Sequence, residues 1–150
     1  MGYLSGGTIE NCTVSGSVSV SSSNFGYAYA GGIAGRNYSG TIKNCAASVS
    51  VSASSNYGYA YAGGIAGVNS TDSDITDCEH SGKISATTTT DDGYAYAGGV
   101  AGCNYGDITD SMHSGGGVSA TATAPSGAVT PTPEASRVAT AMPATTTTAT

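Results

Sequence analysis

The chain has 150 residues and a formal net charge of −6, with 23 glycines, no tryptophan and one phenylalanine. Its acidic balance excludes a nucleic-acid backbone as partner, because phosphate binding needs clustered lysine and arginine side chains. No apolar run approaches the ~18 residues that a membrane-spanning helix needs. Small residues dominate and cannot build a bulky core, which favours thin layers that pack by stacking.

The first repeated element is a short segment that recurs every 33 residues. Its copies are Thr8-Ile-Glu-Asn-Cys12, Thr41-Ile-Lys-Asn-Cys45, Asp74-Ile-Thr-Asp-Cys78 and Asp107-Ile-Thr-Asp-Ser111. Because the first three cysteines share this interval, they belong to the repeat and not to a disulfide framework. We predict that Cys12, Cys45 and Cys78 form an internal ladder of buried thiols. Cys103 aligns with Val68 at a variable position, so we expect it to be exposed and reactive.

Each of these segments is followed by a short alternating stretch, then a variable polar stretch, and then a ten-residue block. The first block reads Gly26-Tyr-Ala-Tyr-Ala-Gly-Gly-Ile-Ala-Gly35, and its copies begin at Gly58 and Gly93. In every element β-branched or aromatic residues alternate with small ones at a period of two, which is typical of strands. We therefore predict about three short strands per unit, separated by turns.

Such a unit cannot bury its apolar face alone, but stacking like strand on like strand would bury it. Neighbouring strands lie about 4.8 Å apart, so identical side chains would form ladders. The predicted fold is all-β: a parallel β-helix, or solenoid, of three to four coils with a 33-residue repeat, over residues 1–120. Right-handedness is expected by fold analogy. Residues 121–150 are mostly threonine, alanine and proline, which predicts an extended linker or stalk.

The Gly-Gly-Ile/Val-Ala-Gly core, followed by an asparagine and then Ile-x-Asn/Asp-Cys, resembles the GLUG motif family over residues 5–120. GLUG repeats are associated with bacterial surface and secreted proteins, including adhesin-like proteins and the non-catalytic part of immunoglobulin A peptidases. The resemblance implies a non-catalytic β-helical stalk or adhesive module outside a bacterial cell. The implied partners are further repeats, copies of itself, or host and matrix glycans and proteins. The unit differs from a short GLUG turn by an added Tyr-Ala-Tyr-Ala segment.

Stacking in register would place the tyrosines of the ten-residue block in two ladders. Cross-strand ring contacts could simply stabilise the coils, or an exposed tyrosine face could bind sugar rings. The paired glycines are expected to permit a positive φ or a close approach of the coils. The residues concerned are Tyr27, Tyr29, Tyr59, Tyr61, Tyr94 and Tyr96 in the ladders, with Ile33, Ile65 and Val100 pointing to the core.

The acidic turns give the one metal hypothesis. Stacked carboxylates about 5 Å apart repel, and a calcium ion would relieve the repulsion. The alternative is a row of solvated surface acids. His80 and His113 could also stack near these turns, and zinc bound by both is a weaker hypothesis. No other cofactor is predicted. The turn residues are Asp74, Asp77, Asp107 and Asp110.

Three functional classes remain open. The chain is a structural or adhesive module, a glycan-binding module, or a subunit that assembles end to end into an extracellular filament. The filament hypothesis depends on unpaired strand edges at both ends of the solenoid, where no N-terminal capping segment is expected. An enzyme is not predicted, because a carbohydrate-active site needs paired acids in a cleft and these acids lie at turns and in one variable loop.

Overall fold

The computed structural model describes residues 1–89 and 93–122. These residues form seventeen β-strands and no helix, so none of their elements is a helix long and apolar enough to cross a membrane. The strands wind into a parallel solenoid of four coils, which confirms the predicted fold. The last strand among the described residues ends at Ala122, two residues beyond the predicted boundary. The proposed stalk from residue 123 onward lies outside the described residues.

Each complete coil has four strand positions, one more than predicted. The extra position arises because a bend at the second glycine and the following isoleucine or valine breaks the ten-residue block into two strands. Coil one contains β1 (Tyr3–Ser5), β2 (Thr8–Glu10), β3 (Thr13–Ser22) and β4 (Tyr27–Gly31). Coil two contains β5 (Ala34–Tyr38), β6 (Thr41–Lys43), β7 (Ala46–Ser55) and β8 (Tyr59–Gly63). Coil three contains β9 (Ala66–Asn69), β10 (Asp74–Thr76), β11 (Glu79–Ser81), β12 (Ile84–Thr88) and β13 (Tyr94–Gly98). Coil four contains β14 (Ala101–Asn104), β15 (Asp107–Thr109), β16 (Met112–Gly115) and β17 (Val118–Ala122).

Four parallel sheets run along the stack, and in each of them a strand pairs with its own counterpart in the next coil. The sheet β2-β6-β10-β15 aligns the isoleucines of the 33-residue repeat. The sheet β1-β5-β9-β14 begins with a strand that was not predicted, in which Tyr3 lies opposite Arg36. The long strands β3 and β7 form one sheet with the shorter pairs β11–β12 and β16–β17. The fourth sheet is β4-β8-β13.

The core is thin and is filled by isoleucine, valine, alanine and cysteine. It depends on glycines at which coils nearly touch. A Cβ placed on Gly64 would lie 2.1 Å from the Gly99 carbonyl oxygen and 2.4 Å from Cγ of His80. Gly64 is not among the residues with positive φ. Of the two roles expected for the paired glycines, close approach of the coils is therefore the one observed at this position.

A buried ladder of asparagine amides follows the sheet β1-β5-β9-β14. Nδ2 of Asn37 donates to Oδ1 of Asn69 at 3.0 Å, and Nδ2 of Asn69 donates to Oδ1 of Asn104 at 2.9 Å. Leu4 occupies the same register position in coil one. The Asn37 Oδ1 atom is consequently buried without a hydrogen-bond donor among the described residues.

One turn position is left-handed in all four coils. Asn11, Asn44, Asp77 and Asp110 have φ values of 56°, 49°, 52° and 47°. Asparagine and aspartate are the non-glycine residues that tolerate this region best, because their short polar side chains can bond locally. The backbone conformation thus accounts for an acidic residue at two of the four turns without a cation.

An aromatic surface as the candidate functional site

The tyrosines of the ten-residue block lie on the outer face of β4, β8 and β13. Strand alternation turns the intervening alanines inward, and Ala28 and Ala60 are 0% exposed. Tyr27 is exposed and the other five tyrosines of the block are half-buried. The residue pairings are in register through all three strands. The structure therefore brings the six predicted tyrosines together as one array, two rings wide and three coils deep.

Within the array the rings stack face to face. Centroids in the ladder of Tyr27, Tyr59 and Tyr94 are 5.2 Å apart at both steps. The ladder of Tyr29, Tyr61 and Tyr96 has centroid distances of 5.2 and 4.9 Å. Ring faces inside the ladders are thus covered by other rings, and solvent meets ring edges and hydroxyl groups. Tyr27, at the end of its ladder and 57% exposed, offers the most ring surface of the six.

The phenol groups of Tyr29 and Tyr61 stay protonated at neutral pH. Burial raises the pKa of Tyr61, and the neighbouring Tyr96 adds to the shift. Burial also raises the pKa of Tyr29, although the positive charge of Arg36 acts in the opposite direction. Both hydroxyls can therefore donate hydrogen bonds to a ligand.

Beside the array lies a concave groove that the sequence did not predict. Its volume is about 350 Å³. Arg36, Val68 and Tyr105 were not part of the predicted ladders, because they lie outside the ten-residue block. A recurrent Asn-Tyr pair at positions 37–38 and 104–105 is the sequence signal that could have indicated the aromatic residue Tyr105. The groove is lined by Tyr27, Tyr29, Arg36, Tyr61, Val68 and Tyr105, which we call the Arg36 groove.

Arg36 is held in place on the side of this groove. Its Nε donates to Oγ of Ser70 at 3.0 Å. Its guanidinium carbon lies 5.5 Å from the ring centroid of Tyr38 and 6.0 Å from that of Tyr3, and the two rings stack with centroids 6.1 Å apart. Cation–π contacts of this kind stabilise a guanidinium by ~0.5–1 kcal/mol at exposed sites.

The repeat cysteines lie in one column at the edge of the core. Cys45 and Cys78 are buried and Cys12 is half-buried, and all four cysteines of the chain are thiols. Each repeat thiol donates to the carbonyl oxygen two residues earlier, at 3.4 Å for Cys12, 3.1 Å for Cys45 and 3.2 Å for Cys78. Burial raises the pKa of Cys78 to about 11, so its thiolate is scarce at neutral pH.

The expectation that Cys103 is exposed was wrong. It lies opposite Val68 as predicted, but it is only 8% exposed. A hydrogen bond with Cys103 raises the pKa of Tyr105, which places this thiol under the aromatic surface. A position that varies between coils is therefore not always a solvent-facing one.

The two histidines stack, but in a different environment from the one expected. His80 is fully buried, and the centroid of its ring lies 5.0 Å from that of the His113 ring. Nε2 of His80 lies 2.9 Å from the Val49 carbonyl oxygen and must carry the proton, so its Nδ1 accepts a hydrogen bond from Nδ1 of His113 at 2.9 Å. Since the facing nitrogens bond each other, they do not form the predicted zinc pair beside the acidic turns.

The acidic residues that the structure describes do not gather into a metal site. Asp74 and Asp107 lie opposite each other on exposed strand ends. Oδ2 of Asp74 accepts a hydrogen bond from Oγ1 of Thr41 at 3.5 Å. Among residues 1–89 and 93–122, no group of three or more histidine, cysteine, aspartate or glutamate side chains could hold a metal ion. The four aspartates of the predicted calcium site are therefore exposed residues of strand ends and turns.

Comparison with known proteins agrees with this architecture. The GLUG motif model matches residues 26–52 and 58–85, so the chain is a β-solenoid module that carries GLUG motif repeats. Both matched stretches include the Tyr-Ala-Tyr-Ala segment, which we had expected to be an addition to the motif.

A solved structure of similar fold is that of a putative immunoglobulin A1 protease from Bacteroides ovatus. It is 30% identical to this chain, with a TM-score of 0.54. The similarity covers 76% of this chain and 37% of that protein, so this chain spans little more than a third of its relative. No curated protein sequence matches the chain.

Proposed function

We propose that the chain is a non-catalytic adhesive repeat module of a bacterial protein that acts outside the cell, at the surface or after secretion. The similarity to a protein named for an action on immunoglobulin A1 supports this location, because an antibody is met outside the cell. The non-catalytic role is supported by the Arg36 groove, which is lined by no carboxylate. The stacked coils also give the module a structural role, because the strands of each coil pair with those of the next.

The observation that carries the adhesive role is the half-exposed tyrosine array. Large contiguous apolar patches on the surface of a monomeric protein often mark an interaction site. This patch combines ring edges, hydroxyl groups and one open ring at Tyr27, and such amphipathic groups suit polyhydroxylated partners. The proposed partners are therefore glycans or glycoproteins of a host or matrix.

The experiment is a glycan-array measurement with Tyr27→Ala. Tyr27 is the most exposed ring of the array and lines the Arg36 groove, so its removal is expected to lower the array signal at least tenfold. Tyr57→Ala is the matched control, because Tyr57 is 51% exposed but contacts Phe25 outside the array. Unchanged glycan binding by a folded Tyr27→Ala protein would contradict the proposal, as would a wild-type protein that binds no glycan.

A second candidate function is end-to-end assembly, and one observation favours it. Strand β3 is ten residues long and pairs on one side with β7, while its other edge has no strand partner within the described residues. Exposed edges of this length are templates for another strand. Light scattering that rises with protein concentration, with filaments seen by electron microscopy, is the expected result. A monomer that persists at high concentration would exclude this function.

A further inference from the structure

We infer that the Arg36 groove binds a sugar that carries a carboxylate, an inference that rests on the glycan binding proposed above. The first argument is charge. Arg36 is the one arginine of the described residues, in a chain of net charge −6. Lys43 has a carboxylate partner, Glu10, at 2.8 Å. No carboxylate of the described part of the chain lies within ion-pair distance of Arg36. Within the described residues, Arg36 is thus a cation without a carboxylate partner beside an aromatic groove.

The second argument is orientation. The bond from Nε to Ser70 fixes the plane of the guanidinium, and the rings of Tyr3 and Tyr38 support it from the side. The two terminal nitrogens make no hydrogen bond to any other residue that the structure describes. Their fork matches the two oxygens of a carboxylate, and a guanidinium already held in place loses less entropy on binding.

The third argument is the remainder of the groove. The protonated hydroxyls of Tyr29 and Tyr61 add donors near the cation, and Val68 adds an apolar wall. A volume of about 350 Å³ lies at the small end of the range for small-molecule sites, which suits one or two sugar rings. Donors, one cation and ring edges together fit a polyhydroxylated acid better than an apolar ligand.

An acidic peptide fits less well, for a backbone reason. Peptides commonly bind by adding a strand to a free sheet edge. Arg36 and Val68 lie on β5 and β9, and both of these strands are already paired on their two sides. Tyr27 and Tyr29 lie on β4, which is the edge strand of its sheet. The main-chain groups of β5 and β9 are therefore committed to the sheet, so a ligand that reaches Arg36 contacts side chains and not a free strand edge.

The test is calorimetric titration with glucuronic and galacturonic acid trisaccharides and with their neutral methyl esters. We expect the acids to bind at least tenfold more tightly than the esters, with a difference that shrinks as salt is added. Arg36→Gln should remove this difference, so that the acids bind no more tightly than the esters. Lys83→Gln is the matched control, since it removes the same charge from an exposed loop between β11 and β12.

The outcomes separate this inference from the proposed function. If esters and acids bind equally and Tyr27→Ala still abolishes binding, the carboxylate inference is wrong and glycan binding stands. If neither these sugars nor any glycan of the array binds, both are wrong. If a polyaspartate peptide binds the groove in an Arg36-dependent manner and the sugar acids do not, the ligand is a peptide and the inference is overturned. Circular dichroism of each variant verifies the fold.

Discussion

Gly64→Ala is expected to destabilise the solenoid by more than ~3 kcal/mol, beyond the usual range for overpacking a core. The added methyl group would lie 2.1 Å from the carbonyl oxygen of Gly99 and 2.4 Å from the ring of His80. The first clash is with the backbone of the next coil, so no side-chain rotation relieves it. Urea unfolding followed by far-ultraviolet circular dichroism measures the loss.

Gly117→Ala is the matched control for this substitution. A Cβ at Gly117 meets no atom within 4 Å, and its φ is not in the left-handed region. Its stability should stay within ~0.5 kcal/mol of wild type, as for ordinary surface changes. The role given to Gly64 is wrong if Gly64→Ala and Gly117→Ala unfold at the same urea concentration.

The second large effect is a loss of stability in mild acid caused by His80. The pKa of His80 is lowered from 6.5 to about 4, mainly by burial and to a smaller extent by the neighbouring His113, although the hydrogen bond with the Val49 carbonyl acts in the opposite direction. Below pH ~6.5 the unfolded chain binds a proton at this residue that the folded chain does not bind, so unfolding becomes more favourable. The contribution of neutral His80 to the free energy of unfolding is fully present above pH ~6.5. It falls by ~3 kcal/mol on acidification to pH ~4.

Chemical denaturation at a series of pH values measures this effect, with His80→Gln as the reference. Glutamine can still donate to the Val49 carbonyl oxygen but does not titrate. The difference between the two proteins isolates His80 from carboxylates that titrate in the same range. Parallel stability curves for wild type and His80→Gln between pH 6.5 and 4 would show that His80 is not buried in its neutral form.

The repeat made most of the fold predictable. A constant interval of 33 residues, with alternation at a period of two, has few solutions other than stacked coils with like strands in register. The same register predicted which residues lie opposite each other, including the stacked rings of Tyr59 and Tyr94 and the alignment of Cys103 with Val68. Residues whose neighbours are copies of themselves can be placed from the sequence alone.

The surroundings of residues that break the repeat could not be predicted in this way. His80 lies opposite Ala47 of the preceding coil, so the sequence gives no sign that glycine at position 64 makes room for its ring. The contacts of Arg36 with Tyr3 depend on a strand, β1, that has no copy of the repeated motifs. Such contacts depend on how one sheet turns into the next, which alternation within a strand does not encode.

The asparagine ladder gives the stack a direction, because the amides of Asn37 and Asn69 each point a nitrogen toward the next coil. In register, a second copy placed before β1 would set its own Asn104 above Leu4. The nitrogen of that amide would meet a hydrocarbon side chain where each earlier rung offers an oxygen, as Asn69 does to Asn37. Leu4 therefore acts as an apolar stop, and a filament built from this chain would have a missing rung at every junction.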